Sequence, residues 1–343
     1  MLINYRVYLY RMDKRSILEI LVYWNYWDKE IHAGVKRDNY LQELERISKA
    51  GEVTVLTGVR RSGKSTLLLQ FLELLLSRGF KKENTLYVNL EDLRFTELDL
   101  KLLSDIYQVF KENFSPTKPV IFLDEVQKIQ GWEKFVRTLH EKKEATIFVS
   151  GSNSSLLNSE FSTVLTGRHL DLLVYPLSFK EFLHFNNVAV KTPIDFVSKK
   201  QEIERLLDVY LKYGGFPKVV LEQNEENKRQ LLATYFEDIL VKDVANRYNI
   251  REVDKLKNLA VYYLTNISSP HSINSLRGFT KLSNDSLERF STYLTNAFMV
   301  FFVPKFSHSL KEQTVNAKKV YCIDSGLRNA VSFKTTQDNG KIM

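Results

Sequence analysis

A single cysteine, Cys322, in 343 residues excludes an internal disulfide framework and a zinc site built from cysteines, and its apolar neighbours point to plain packing. Long apolar runs are missing too. Charge interrupts each one well short of the roughly 18 residues that span a bilayer, and no secretory signal is evident. No membrane partner is therefore expected, and the expected location is the cytoplasm. No self-similarity with a period of about 20 to 50 residues is visible. Nor does the composition point to disorder: 44% hydrophobic and 26% charged residues is an ordinary globular balance, and the length allows two or three domains with real cores.

What is present is an uneven distribution of positive charge. Of the net +8, residues 255–343 carry 12 Lys/Arg against 5 Asp/Glu, a net of +7, which leaves +1 for residues 1–254. Such asymmetry fits contact with a polyanion, most often nucleic acid, and equally fits a solvated basic face.

Along the chain, residues 12–50 read as mainly helical, after an extended start over residues 1–11. Trp24, Tyr26 and Trp27 form an aromatic-rich face expected to pack rather than to stack bases. From 51 to about 175, the strand-like runs "VTVLT", "TLYVNL", "PVIFLD", "ATIFVS" and "LDLLVY" alternate with helical stretches, the βαβ rhythm of a parallel sheet flanked by helices. Residues 176–250 read as almost wholly helical with one turn at "YGGFP". Helices near 252–266, 272–279 and 284–297 follow, then strand-like "FMVFFVP" and "KKVYCID".

The most informative stretch is "LTGVRRSGKSTLLLQFLELLL", residues 56–76. Gly58, four residues, then Gly63-Lys64-Ser65 is the phosphate-loop pattern G-x-x-x-x-G-K-[ST]. Glycine lets backbone N–H groups converge on a phosphate, lysine reaches the β- and γ-phosphates, and the serine hydroxyl can ligate Mg²⁺. The context agrees: "EVTVLTG" reads as a buried strand and "STLLLQFLELLLSRG" as a helix closed by Gly79. Gly58, Val59, Arg60, Arg61, Ser62, Gly63, Lys64, Ser65 and Thr66 are thus the expected nucleotide-binding residues, with ATP as ligand.

Hydrolysis also needs a metal-positioning carboxylate and a group to orient water. "KPVIFLDEVQKI" ends an apolar strand in Asp124-Glu125: Asp124, with Ser65, is the expected metal site, and Glu125 can polarise the attacking water. After the next strand, Ser150, Ser152 and Asn153 are candidates to touch the γ-phosphate or the lytic water, or else to cap the following helix. Arg168, beside Gly167, can stabilise transition-state charge in its own or a neighbouring site of a homo-oligomer, or simply pair with a surface carboxylate.

The set "LTGVRRSGKSTLL", "VIFLDEVQKIQGWEKF", "FVSGSNSSLL", "LTGRHLDLLVYPLSFKEFL" and "YGGFPKVV" resembles archaeal and bacterial AAA+-related P-loop ATPases that carry a C-terminal domain of unknown function, over about Arg37 to Phe333. The resemblance implies an α/β protein of four parts: an N-terminal helical segment (1–36), a five-stranded AAA+ core (37–175), a helical lid (176–250) and a C-terminal winged-helix domain (251–343). It places Arg37 near the adenine, and Gly215 and Pro217 where related signalling ATPases sense nucleotide from the lid, although the glycines equally suit a helix stop. In the winged helix, "SNDSLERFSTYLTN" would offer Asn284, Ser286, Arg289 and Thr292 to a DNA groove while Leu287, Tyr293 and Leu294 face the core; Asp285 and Glu288 weigh against DNA, and winged helices also dock proteins. Members of the group usually continue into a nuclease-like domain. Here the chain stops at "KTTQDNGKIM", and nuclease activity is not expected of it.

The resulting expectation is a Mg²⁺-dependent ATPase that couples its nucleotide state to duplex DNA through residues 255–343. A slow nucleotide-gated switch with a protein partner and a small-molecule phosphotransferase are the alternatives.

Overall fold

Five short apolar runs become β1 (Val53–Thr57), β2 (Thr85–Asn89), β3 (Val120–Asp124), β4 (Thr146–Gly151) and β5 (His169–Leu173), which line up as β2-β3-β4-β1-β5 in a computed structural model. The structure describes residues 12–152, 165, 167–271 and 273–332; the extended start over 1–11, the candidate Asn153 and the terminal "KTTQDNGKIM" lie outside the described residues. β2 and β3 pair in parallel with Thr85 opposite Val120 and Asn89 opposite Asp124, and β3 pairs in parallel with β4. Strands β1 and β3 are buried at every position, as expected of strands covered on both faces. Helices 64–77, 100–114 and 132–141 make the crossovers from β1 to β2, β2 to β3 and β3 to β4. Since β1 sits inside the sheet between β4 and β5, the strand order reverses beside it, and its carboxyl end lies at the switch point where α/β sheets bind ligands.

Two units divide the described chain: residues 12–56, 65–151, 165 and 167–172 form one, and residues 57–64, 152, 173–271 and 273–332 the other. In the first, helix 14–24 is capped by Asp13, whose carboxylate accepts the Ser16 N–H at 2.7 Å, and it buries Ile17, Ile20 and Leu21. The expected aromatic face does pack: Trp27 lies against Phe110 and Phe114, with its indole N–H on the Thr85 carbonyl, and the Trp24 N–H donates to Asp92. Asn25, just past the helix, donates to the Tyr87 carbonyl at 2.9 Å and accepts the Tyr87 N–H at 2.7 Å. These bonds occupy the outer edge of β2, which would otherwise present unpaired backbone groups, and they fix Tyr87.

In the second unit, helices 179–185, 193–198, 200–213, 217–221 and 225–238 lead into a π-helix, Ile239–Ala245. Helix 253–265, β6 (Pro270–His271), helices 273–280 and 284–296, β7 (Val300–Val303), helix 310–315, β8 (Lys318–Cys322) and helix 325–331 follow. The three strands form an antiparallel sheet in the order β6-β8-β7. One apolar cluster, including Phe216, Phe236, Leu240, Leu259, Leu294 and Leu327, runs through this unit. Burial pushes the Cys322 thiol up to about 12, in keeping with the packing role expected of it. Two-residue β6 and helices 310–315 and 325–331 have no counterpart among the expected elements, because each is too short to show a period.

Candidate phosphate-binding site

The loop from Gly58 to Lys64 leaves β1 and enters helix 64–77. Gly58 is required by close approach: a Cβ there would lie 2.1 Å from the Val174 carbonyl oxygen, and its φ is 146°. Arg61 and Gly63 take φ of 71° and 97°, the left-handed conformations that turn successive N–H groups to one side. Val59, Ser62 and Lys64 are buried. The Lys64 ammonium donates to the carbonyls of Gly58 and Val59 at 3.0 and 3.1 Å, so the cation is held over its own loop. A Cβ on Gly63 would lie 3.6 Å from Pro217 Cγ, which puts the "GGFP" turn beside the loop.

The two loop arginines part company. Arg61 pairs with Asp238 at 3.7 Å and lies over the Tyr235 ring. Arg60 reaches Asp243 in the π-helix with two bonds, Nε to Oδ2 at 2.8 Å and Nη2 to Oδ1 at 3.1 Å. Ser152, at the end of β4, donates its hydroxyl to the same Oδ1 at 3.1 Å. Asp243 is not among the residues expected from the sequence. Its signal is a lone acid on the face shared by Ile239, Leu240 and Val244, all buried.

In the first unit, Asp124 is buried at the end of β3 and accepts hydrogen bonds from the Tyr87 hydroxyl, at 2.7 Å, and from the Ser150 hydroxyl. Among the described residues no cationic side chain pairs with it. The Ser65 side chain also acts on this phenol, favouring its ionised form, so the two expected metal ligands both neighbour Tyr87. Burial, and then the Asp124 charge, hold the Tyr87 pKa well above its ordinary value, which keeps the phenol protonated as a donor. A hydroxyl and one carboxylate with hydroxyl partners are hard oxygen ligands suited to Mg²⁺, which keeps most of its water and phosphate ligands and needs no acidic cluster. Tyr87 itself carries no local signal in "TLYVNL" beyond being a polar-tipped residue in a buried strand.

Glu125 adopts φ 57° and is buried, with its N–H on Ser150 Oγ at 3.2 Å and its carboxylate accepting from Gln127. A left-handed non-glycine residue at this point is a strained geometry of the kind that concentrates at working sites. Arg37 is buried at the start of helix 38–48, with its N–H on Gln70 Oε1 at 3.2 Å and its guanidinium 4.3 Å from the Tyr40 ring centroid. Thr66 is exposed on the first turn of helix 64–77. The Arg168 guanidinium pairs with Glu141, which also holds Arg137; within one chain this is the surface pairing rather than a contact with the loop.

A strand, a glycine loop closed by Lys-Ser, a helix, and a second strand ending in a buried Asp-Glu pair, on a sheet ordered β2-β3-β4-β1-β5, define a P-loop protein of the AAA class. Residues 50–183 match the family described as an AAA domain, and residues 204–338 match a domain of unknown function, DUF8612. An uncharacterized protein of Haemophilus influenzae is 33% identical over 303 residues, 86% of this chain and 73% of that protein. The uncharacterized protein MJ1544 of Methanocaldococcus jannaschii is 33% identical over 337 residues, 97% of this chain and 72% of that protein. The chain belongs to this family of AAA-domain P-loop proteins with a C-terminal domain of unknown function. Among solved structures, the Walker-type ATPase PABY2304 of Pyrococcus abyssi aligns with a TM-score of 0.55 at 15% identity, over 86% of this chain and 95% of that one, a likeness of fold.

Proposed function

We propose that the protein is a Mg²⁺-dependent ATPase that couples its nucleotide state to duplex DNA through a C-terminal winged helix. The observation that carries the hydrolytic part is the Tyr87 hydroxyl on Asp124, a buried carboxylate that pairs with no cationic side chain among the described residues. Mg²⁺, when bound, would neutralise phosphate charge and orient the terminal phosphate. Lys64 and the loop N–H groups bind the phosphates, and Asp124 with Ser65 would hold the metal's oxygen shell. Glu125 accepts a proton from the water that attacks the γ-phosphorus, as ADP departs with the bridging oxygen.

For DNA, support comes from the order helix 253–265, β6, helices 273–280 and 284–296, β7, β8, which is that of a winged helix. Asn284, Arg289 and Thr292 are exposed on helix 284–296 and Ser286 is half-buried, while Leu287 and Leu294 are buried and Tyr293 stacks on Tyr248. Lys318 and Lys319 are exposed on β8. A protein partner is the second reading, favoured by the exposed Asp285 and Glu288 on that helix and by the exposed apolar side chains of Phe301, Val303 and Phe306. The cytoplasm is the compartment this function implies; no helix among the described residues is long and apolar enough to cross a membrane.

Two measurements test the proposal. Lys64→Ala abolishes binding of a fluorescent ATP analogue, whereas Glu125→Gln binds it normally and turns over at least about 10²-fold more slowly; full turnover in Glu125→Gln moves the base elsewhere. Anisotropy of labelled duplex DNA across a salt series gives a log–log slope of about −0.9 per phosphate contacted. Arg289→Ala and the pair Lys318→Ala, Lys319→Ala weaken it without touching ATP affinity. A flat salt response favours the protein partner.

A further inference from the structure

The bidentate bond between Arg60 and Asp243 is nearly closed off from solvent, with the two side chains 12% and 5% exposed. A buried ion pair is a weak stabiliser, because desolvation offsets most of the attraction between its charges. Its geometry is more telling than its energy. A guanidinium fork together with a hydroxyl, converging on anionic oxygens, is the arrangement by which proteins hold phosphate. Here the fork comes from the P-loop and the hydroxyl from Ser152, one of three end-of-strand candidates for the γ-phosphate, yet the anion is a carboxylate of the chain itself.

We propose that Asp243 is an internal competitor of the γ-phosphate: it holds Arg60 and Ser152 until a nucleoside triphosphate takes them over, so that ATP, and not ADP, releases the π-helix 239–245. The inference rests on the ATP-binding reading. Two anions cannot share the same few donors without mutual repulsion, so the triphosphate and the Asp243 bond oppose each other, whereas a diphosphate lacks the group that competes. The π-helix is the element to respond. A π-helix is a rare element, and it recurs at functional positions. It also leads to Tyr248, whose ring stacks on Tyr293 of helix 284–296 at 3.7 Å between centroids, with Asn296 donating to the Tyr248 hydroxyl at 3.1 Å. Release at Asp243 would thus be felt at the helix proposed to face DNA.

The test compares wild type with Asp243→Asn, which keeps the shape and removes the charge. Affinities for the non-hydrolysable analogue AMPPNP and for ADP are measured by displacement of a fluorescent nucleotide in Mg²⁺. The expected result is AMPPNP bound about tenfold more tightly by the variant, with ADP affinity changed less than about twofold, within the usual range of coupling between two sites. Equal changes for both ligands, or weaker AMPPNP binding, overturn the inference. A wild type that binds neither nucleotide defeats instead the ATP reading on which it stands. Amide exchange in wild type supplies a second arm that needs no substitution, should the variant not fold. Residues 239–246 are expected to exchange faster with AMPPNP than with ADP or without nucleotide, and unchanged exchange overturns the inference by itself.

Discussion

Gly214 sits where three constraints meet. It ends helix 200–213, with its N–H on the Tyr210 carbonyl, at φ 73° and ψ −164°, a region that essentially only glycine enters. A Cβ there would lie 2.0 Å from Asp324 Oδ1 and 2.4 Å from Oδ2. Asp324 cannot simply swing aside, because its carboxylate accepts the N–H of Gly215 at 2.6 Å and that of Leu327 at 2.9 Å, tying the "GGFP" turn to helix 325–331. Gly214→Ala therefore incurs a backbone penalty of about 1–3 kcal/mol. It also loses at least one charge-assisted bond, worth about 1.5–3 kcal/mol. The two together come to about 4 kcal/mol. Urea unfolding followed by far-UV circular dichroism measures the loss. The three tryptophans, Trp24, Trp27 and Trp132, all lie in the first unit, so their fluorescence on the same samples reports whether that unit unfolds along with the second. A dichroism midpoint whose shift corresponds to less than about 1 kcal/mol would refute the reasoning.

Removing the hydroxyl in Tyr87→Phe takes a donor from Asp124, so half-maximal ATP turnover should need about three- to tenfold more Mg²⁺, and an unchanged Mg²⁺ requirement would remove Tyr87 from the metal site. Burial pushes the Asp324 carboxyl up to about 6 against the N–H groups of Gly215, Leu327 and Gly326. A carboxyl raised in the folded state adds stability below its unfolded value of about 4, and this is lost as pH rises through about 6. The advantage of wild type over Asp324→Ala should therefore be greatest near pH 4 and smaller by up to about 3 kcal/mol at pH 7. Matched urea titrations at the two pH values check this, and an advantage that grows with pH contradicts it.

Much of the site was legible in one dimension. Gly58, Gly63, Lys64 and Ser65 make up one phosphate-loop pattern of near neighbours, and Asp124-Glu125 ends a strand whose apolar run announces it, so spacing alone marked the candidate loop, the acidic pair and the alternation of strand and helix. The helices at 253–265 and 284–296 fell close to their expected limits for the same reason: a periodic apolar face is a local property. Tertiary structure alone decided the partners of the buried polar groups. Tyr87 meets Asp124 from 37 residues away, Asp243 meets Arg60 from 183, and Asp324 meets Gly215 from 109. It also brought Arg168 onto Glu141, 27 residues away. The physical reason is that a polar group taken out of water must find a partner wherever the fold has brought one, and no pattern of neighbours along the chain encodes which distant residue that is.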